Sequence, residues 1–195
     1  MILEAATDMT PLRAELHAIT ARTDTIVPAY AEPVASAATP AIAALLAAQI
    51  PHQVLQYHHD PRTDSFGEEA VEELALVEGV EPEQVFKTLV IALPKGLAVA
   101  VIPVPSKLSL KAAAAALGVP KATMAERAAA ERSTGYVIGG ISPFGQRKRL
   151  PTVVDASALG WDKVLCSAGK RGCDVALHPQ DLIALTNAVT ADIRA

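Results

Sequence analysis

Two apolar, β-branched runs, residues 86–93 and 97–104, flank the tripeptide Pro94-Lys95-Gly96, and that spacing predicts a β-hairpin. Ahead of it, Thr39-Pro40 reads as an N-cap followed by proline at the first helical position. The Ala/Ile/Leu run to Gln49 then predicts a helix that Pro51 stops. Residues 52–57 fit a strand and 58–63 a loop. Ser65 with Glu68 three residues on resembles a capping box for a helix over 65–77, with Glu72 and Glu73 toward solvent. Beyond the hairpin, Ser109 begins a helix that Gly118 terminates. Short strands are expected near 135–138, 152–156, 163–167 and 174–177, and a last helix over 179–187. Strands outnumber helices and the helices are dispersed among them. This predicts a mixed α/β fold, a curved sheet with helices outside it.

Residues 1–38 carry Thr, Ala, Pro and scattered charges with no sustained period, and are expected to form a flexible extension. Within them 8–21 is a candidate helix, with Asp8 or Thr10 as its cap and Pro11 in its first turn. Glu4, Asp8 and Glu15 argue against a targeting peptide. The compact domain is expected over 39–195.

A chain of 195 residues, 51% hydrophobic, suits one domain with a real core. Only 4% of residues are aromatic, which disfavours a platform that stacks bases. The net charge of −4 conceals a division: the balance is −11 over 1–86, +9 over 87–172 and −2 over the remainder. A basic middle segment is a candidate phosphate surface if folding keeps its charges together. Cys166 and Cys173, the only cysteines, are expected as packed thiols in a cytoplasmic protein. No apolar run reaches the ~20 residues needed to cross a bilayer, so no membrane partner is expected.

The densest chemistry lies in 135–155. There a glycine-proline device, Gly139-Gly140-Ile141-Ser142-Pro143, precedes three consecutive cations, Arg147-Lys148-Arg149. Exposed backbone N–H groups in such a turn can face a carbonyl oxygen, and the cations can face phosphates. The loop from Ser167 to Gly172 repeats the combination with Lys170 and Arg171. Strand alternation puts Lys87 on one face with Leu89, Ile91 and Leu93. Such a lysine either reaches water along its stem or stands as a cation at the mouth of a pocket. Tyr57, His58, His59 and Asp60 form a polar cluster at a strand end. Neighbouring histidines point apart and no third ligand stands at zinc spacing, so no metal is expected. His52 and His178 are isolated. The chain holds no Gly-x-Ser-x-Gly elbow, phosphate-binding Walker loop or dinucleotide fingerprint, and no cofactor is expected.

In order and spacing, the segments 57–61, Phe86-Lys87-Thr88-Leu89, 135–143, 146–152, Asp155-Ala156-Ser157 and Gly169-Lys170-Arg171-Gly172 resemble the YbaK/EbsC family. These are Cys-tRNA(Pro) deacylases related to the editing domain inserted in bacterial prolyl-tRNA synthetases. The resemblance implies a central, partly barrel-like mixed sheet with surrounding helices. It implies trans-editing hydrolysis of Cys-tRNA(Pro), with the acceptor end of tRNA(Pro) as substrate, prolyl-tRNA synthetase as a transient partner and no role for DNA. It assigns Lys87, Gly139, Gly140 and Ser142 to catalysis, and Tyr57, Ile141, Pro143, Ser167 and Asp174 to substrate binding. Arg147, Lys148, Arg149, Lys170 and Arg171 are assigned to tRNA. The implied route lets the substrate's own thiol attack its ester. Two departures stand out: Ala168 replaces the first glycine of the family's Gly-Gly-Lys-Arg turn, and residues 1–38 have no family counterpart. The alternatives are a deacylase for another small amino acid, such as Ala-tRNA(Pro), and a non-catalytic regulatory module of the same fold.

Overall fold

The hairpin is the centre of the sheet. In the computed structural model, which describes residues 39–195 except Asp64 and Gly79, β2 (Val85–Ala92) and β3 (Leu97–Pro103) pair antiparallel along their whole length. The expected extension and the candidate helix at 8–21 lie outside the described residues. Before the hairpin come α1 (Pro40–Ala47), β1 (His52–Gln56) and α2 (Phe66–Glu78). After it come α3 (Leu110–Ala116), β4 (Thr123–Met124), α4 (Arg127–Thr134), β5 (Thr152–Asp155), β6 (Val164–Lys170), β7 (Cys173–Leu177), α5 (Pro179–Thr186) and β8 (Val189–Ala191).

The strands form one mixed sheet in the order β1-β7-β6-β2-β3-β5-β8, with β4 paired to β2 beside β6. β2 with β6, β3 with β5 and β5 with β8 are parallel pairs, and β1 with β7, β7 with β6, β2 with β3 and β2 with β4 are antiparallel. Alternation along β2 divides the core. Phe86 and Val90 enter a cluster with Val99, Val101, Phe144 and Val175. On the other face Val85 joins Leu55, Leu74 and Leu165 beside α2, and Ile91 joins Ile102, Ala113 and Ile193 beside α3. Each fully buried Phe, Leu or Ile side chain contributes roughly 1.5–3 kcal/mol. No helix among the described residues is long and apolar enough to cross a membrane.

Local signals place the helix starts as read. The Thr39 hydroxyl accepts from Ile42 N–H at 3.2 Å and that of Ser109 accepts from Ala112 N–H at 3.3 Å. Gly118 follows α3 with φ +68°. The strand expected at 135–138 is absent. Gly135 ends α4 in the left-handed region (φ 82°), Tyr136 turns inward and donates its hydroxyl to the Phe144 carbonyl at 2.8 Å, and 138–139 form a turn. The Tyr-Val-Ile triplet alternates like a strand, but the glycines on both sides take φ values a strand does not allow. The polar helix α4 and the short strands β4 and β8 were not expected from the sequence.

Candidate active site

A cavity of about 460 Å³ opens where β2 passes between β6 and β4. Lys87, Gly139, Ile141, Tyr57, Ser167 and Asp174, six residues drawn from five separate stretches of the sequence, all line it. Phe66, Glu68, Thr88 and Ala130 line it too, and none of these was marked as a site residue by sequence.

Lys87 is half-buried on β2, opposite Ile102, and its Nζ donates to the Val104 carbonyl at 2.8 Å. Loss of solvent lowers its pKa from the ordinary lysine value, and the nearby Glu68 carboxylate offsets part of that. Ser167 and Asp174 face each other across the β6–β7 ladder. Asp174 is 4% exposed, and burial pushes its carboxyl up to about 7, against the hydrogen bond that Tyr57 Oη donates to its Oδ1 at 3.4 Å. Burial next to that same carboxyl raises Tyr57 as well.

The glycine turn is held in place by its neighbours. Gly139 has φ +86°, and a Cβ there would lie 2.5 Å from Cγ of Phe66, so only glycine fits against this ring. Ile138 N–H donates to Glu131 Oε1 at 3.0 Å. That hydrogen bond, with help from Arg127 and Arg171, holds the Glu131 carboxyl below its ordinary range. Arg171 donates to the Ile138 carbonyl and stacks its guanidinium 4.3 Å from the centroid of Phe66. Phe66 is itself fixed at the start of α2, whose Glu69 accepts the Asp60 N–H at 2.7 Å and lies 2.6 Å from His59 Nδ1. Burial tends to raise Glu69, but these two contacts outweigh it and keep the carboxyl low.

The remaining expected residues are elsewhere. Gly140 packs against the backbone of Lys170 and Arg171. Ser142 is fully buried and accepts the Phe144 N–H at 3.2 Å, and Pro143 and Arg149 line a second cavity of about 220 Å³. Arg147, Lys148 and Arg149 are exposed. Their loop is anchored at the end of α4 by Arg147 N–H to Thr134 O at 2.8 Å and Lys148 N–H to Ser133 O at 3.1 Å. Cys166 and Cys173 are free, buried thiols raised by desolvation. Asp155 is fully buried and ties the C-terminal segment, accepting Ile193 N–H at 2.9 Å and pairing with Arg194 at 3.2 Å. Phe66 left only a faint sequence signal, an aromatic residue opening an acidic helix. Glu131 left none.

The larger cavity is thus a partly desolvated pocket in a mixed sheet, and the cations Arg147, Lys148 and Arg149 sit on a separate exposed loop. Comparison with known proteins makes this specific. Residues 67–185 match the aminoacyl-tRNA editing domain family. A protein of Enterococcus faecalis (strain ATCC 700802 / V583), provisionally named Cys-tRNA(Pro)/Cys-tRNA(Cys) deacylase EbsC, is 41% identical over 116 residues, 59% of this chain and 71% of that one. A solved structure described provisionally as a trans-editing enzyme for prolyl tRNA synthetase superposes with a TM-score of 0.70 at 28% identity. That match covers 80% of this chain and 95% of the other. The structure of the hypothetical protein APE2540 gives 0.69 at 25% identity over 80% of this chain and all of its own. The chain belongs to the aminoacyl-tRNA editing domain family, and with it to the hydrolytic deacylases of aminoacyl-tRNA.

Proposed function

We propose that the unit formed by residues 39–195 removes cysteine from Cys-tRNA(Pro), and that the substrate's thiol, rather than a protein side chain, breaks the ester. The observation that carries this reading is the lining of the cavity. Lys87 and Gly139 share it with Tyr57, Ser167 and Asp174, and among the described residues that line it there is no cysteine or histidine. A cation and a constrained turn can orient and polarise an ester. The cavity's serines, Ser65 and Ser167, make no hydrogen bond to a carboxylate among the described residues, the Ser167 hydroxyl instead accepting the Gly169 N–H, so no serine there is paired with a base.

In this reading the sulfur attacks the ester carbonyl, a C–S bond forms and the C–O bond to the terminal ribose breaks. The thiol proton ends on the departing hydroxyl. The products are a cysteine thiolactone, which water then opens, and free tRNA. Lys87 Nζ and N–H groups of the 139–143 turn are assigned to the oxygen that gains charge, with Gly140 and Ser142 keeping the turn in shape. Tyr57, Ile141 and Pro143 shape the walls. Intramolecular attack in a held geometry is worth an effective molarity on the order of 10⁵ M, and one oxyanion donor roughly 3 kcal/mol. These magnitudes need no catalytic triad.

The exposed Arg147, Lys148 and Arg149, with Lys170 at the hairpin, are assigned to the phosphates of the acceptor end. The cavity itself is too small to read the identity of a tRNA. That selection is assigned to a transient complex with prolyl-tRNA synthetase in the cytoplasm. The test is direct: purified protein mixed with Cys-tRNA(Pro) should accelerate loss of the ester and leave Pro-tRNA(Pro) intact. Equal cleavage of Ala-tRNA(Pro) would favour an alanyl-specific activity, and no cleavage of any ester would favour a regulatory module.

A further inference from the structure

The register of β2 leaves a gap in the sheet at the cavity. On the side away from β3, β2 meets β6 only at Val85 and Phe86 and β4 only at Ile91 and Ala92. In an antiparallel ladder each residue turns both its N–H and its C=O to the same neighbour, and successive residues alternate. Val85 O accepts from Val104 N–H at 2.8 Å and Leu93 N–H donates to Gly96 O at 3.0 Å, so the odd-numbered residues face β3. Val90 O accepts from Ala125 N–H at 3.1 Å, so the even-numbered residues face the other way. Thr88 is the even-numbered residue between the two short pairings. Continuing the parallel ladder would join its N–H to Ser167 O, but the pairing of β2 with β6 stops at Phe86–Cys166, and that of β2 with β4 stops at Ile91–Met124. Neither the N–H nor the C=O of Thr88 therefore has a strand partner.

The side chain repeats the pattern. Thr88 Oγ1 is buried and has no hydrogen-bond partner. A buried hydroxyl without a partner is uncommon in folded proteins, and here it stands on a cavity-lining residue whose backbone N–H and C=O also lack a strand partner, which marks a place that a ligand completes. The cavity touches every residue from Val85 to Val90. Because alternate residues of a strand face opposite sides, a cavity touching six in a row reaches the strand's free edge.

We infer that the Thr88 edge is the docking point for the α-amino acyl group, which adds to β2 as a strand one residue long. Its α-ammonium donates to the Thr88 carbonyl and its acyl oxygen accepts the Thr88 N–H. An extended aminoacyl ester presents a nitrogen donor and a carbonyl acceptor on one side, the complement of a strand residue with both groups free. This deepens the reading of the cavity as an aminoacyl site and rests on it. It also divides the labour of recognition. The strand edge reads what all aminoacyl esters share, leaving selection of the side chain to the walls.

Hydrogen exchange on the full chain, with cysteinyl-3′-amino-3′-deoxyadenosine as an uncleavable probe, tests this without a turnover assay. In the free protein the Thr88 amide should exchange faster than those of Lys87 and Leu89, which face β3. Saturating probe should slow it by about tenfold or more. The analogue lacking the α-amino group, a 3-mercaptopropionyl amide, should bind roughly 10–100-fold more weakly, the range for one hydrogen bond to a charged group. If the probe shifts the Lys87 and Gly139 resonances while Thr88 exchange stays unchanged, the strand-edge assignment is overturned and the cavity reading survives. A probe that perturbs none of these resonances overturns both.

Discussion

Arg171 donates from both Nε (3.1 Å) and Nη2 (2.9 Å) to the single carbonyl oxygen of Ile138, and so joins the β6–β7 hairpin to the glycine turn at the cavity wall. The same guanidinium covers Phe66, against which Gly139 is packed. Arg171→Lys keeps the charge but loses the planar fork and its stacking. The expected result is a fall in kcat/KM of roughly 10–100-fold, the equivalent of a charge-assisted hydrogen bond, with little change in the salt dependence of tRNA binding. A changed salt slope with intact turnover would make Arg171 a phosphate-binding residue instead.

For the exposed triplet the opposite pattern is expected. Replacing Arg147, Lys148 and Arg149 together by glutamine should weaken tRNA binding and flatten log Kd against log salt by about 0.7–0.9 for each phosphate no longer neutralised. Turnover at saturating tRNA should change little. An unaltered slope would remove this loop from the tRNA surface.

Lys87→Ala separates chemistry from folding. The bond to Val104 O involves a half-buried group, and its removal costs about 1 kcal/mol of stability, so the fold should remain intact by circular dichroism. The expected loss in kcat is on the order of 10²–10³, as for removal of a preorganised oxyanion donor. Unchanged kinetics would reduce Lys87 to a lysine that merely reaches out of the sheet.

Asp174 gives the protein a pH-dependent stability. Its folded value of about 7 lies above its ordinary 3.8, so the contribution is complete below about pH 4 and is lost as pH rises through 7. Asp174→Asn should therefore gain on the wild type between pH 4 and pH 7 in denaturant unfolding. A stability difference that is flat across that window would show the carboxyl to be ionised at ordinary pH.

The sequence announced what is local. The caps at Thr39 and Ser109 and the stop at Gly118 act within one turn of themselves, although the Thr39 hydroxyl also donates to the distant Ala168 carbonyl, and the β2–β3 hairpin needs only its own alternation and its Pro-Lys-Gly link. Residues 135–138 misled because alternation alone cannot register that Gly135 and Gly139 take positive φ. The cavity was half legible: Lys87 stood out as a cation on an apolar face, whereas Glu131 became visible only once α4 brought it to Ile138 N–H. Thr88 could not be found at all by pattern. Its free edge depends on where β6 and β4 stop pairing, a property of three strands far apart in the chain.

The comparison of Cys-tRNA(Pro) with S-methylcysteinyl-tRNA(Pro) under single-turnover conditions tests the central claim most directly. The two esters differ by one methyl group, which fills space at a cost of about 1–3 kcal/mol but removes the attacking thiol entirely. The expected result is rapid cleavage of the first and none of the second above its spontaneous rate, although both bind. Cleavage of the methylated ester at a comparable rate would contradict substrate-assisted attack and require a nucleophile or base from the protein.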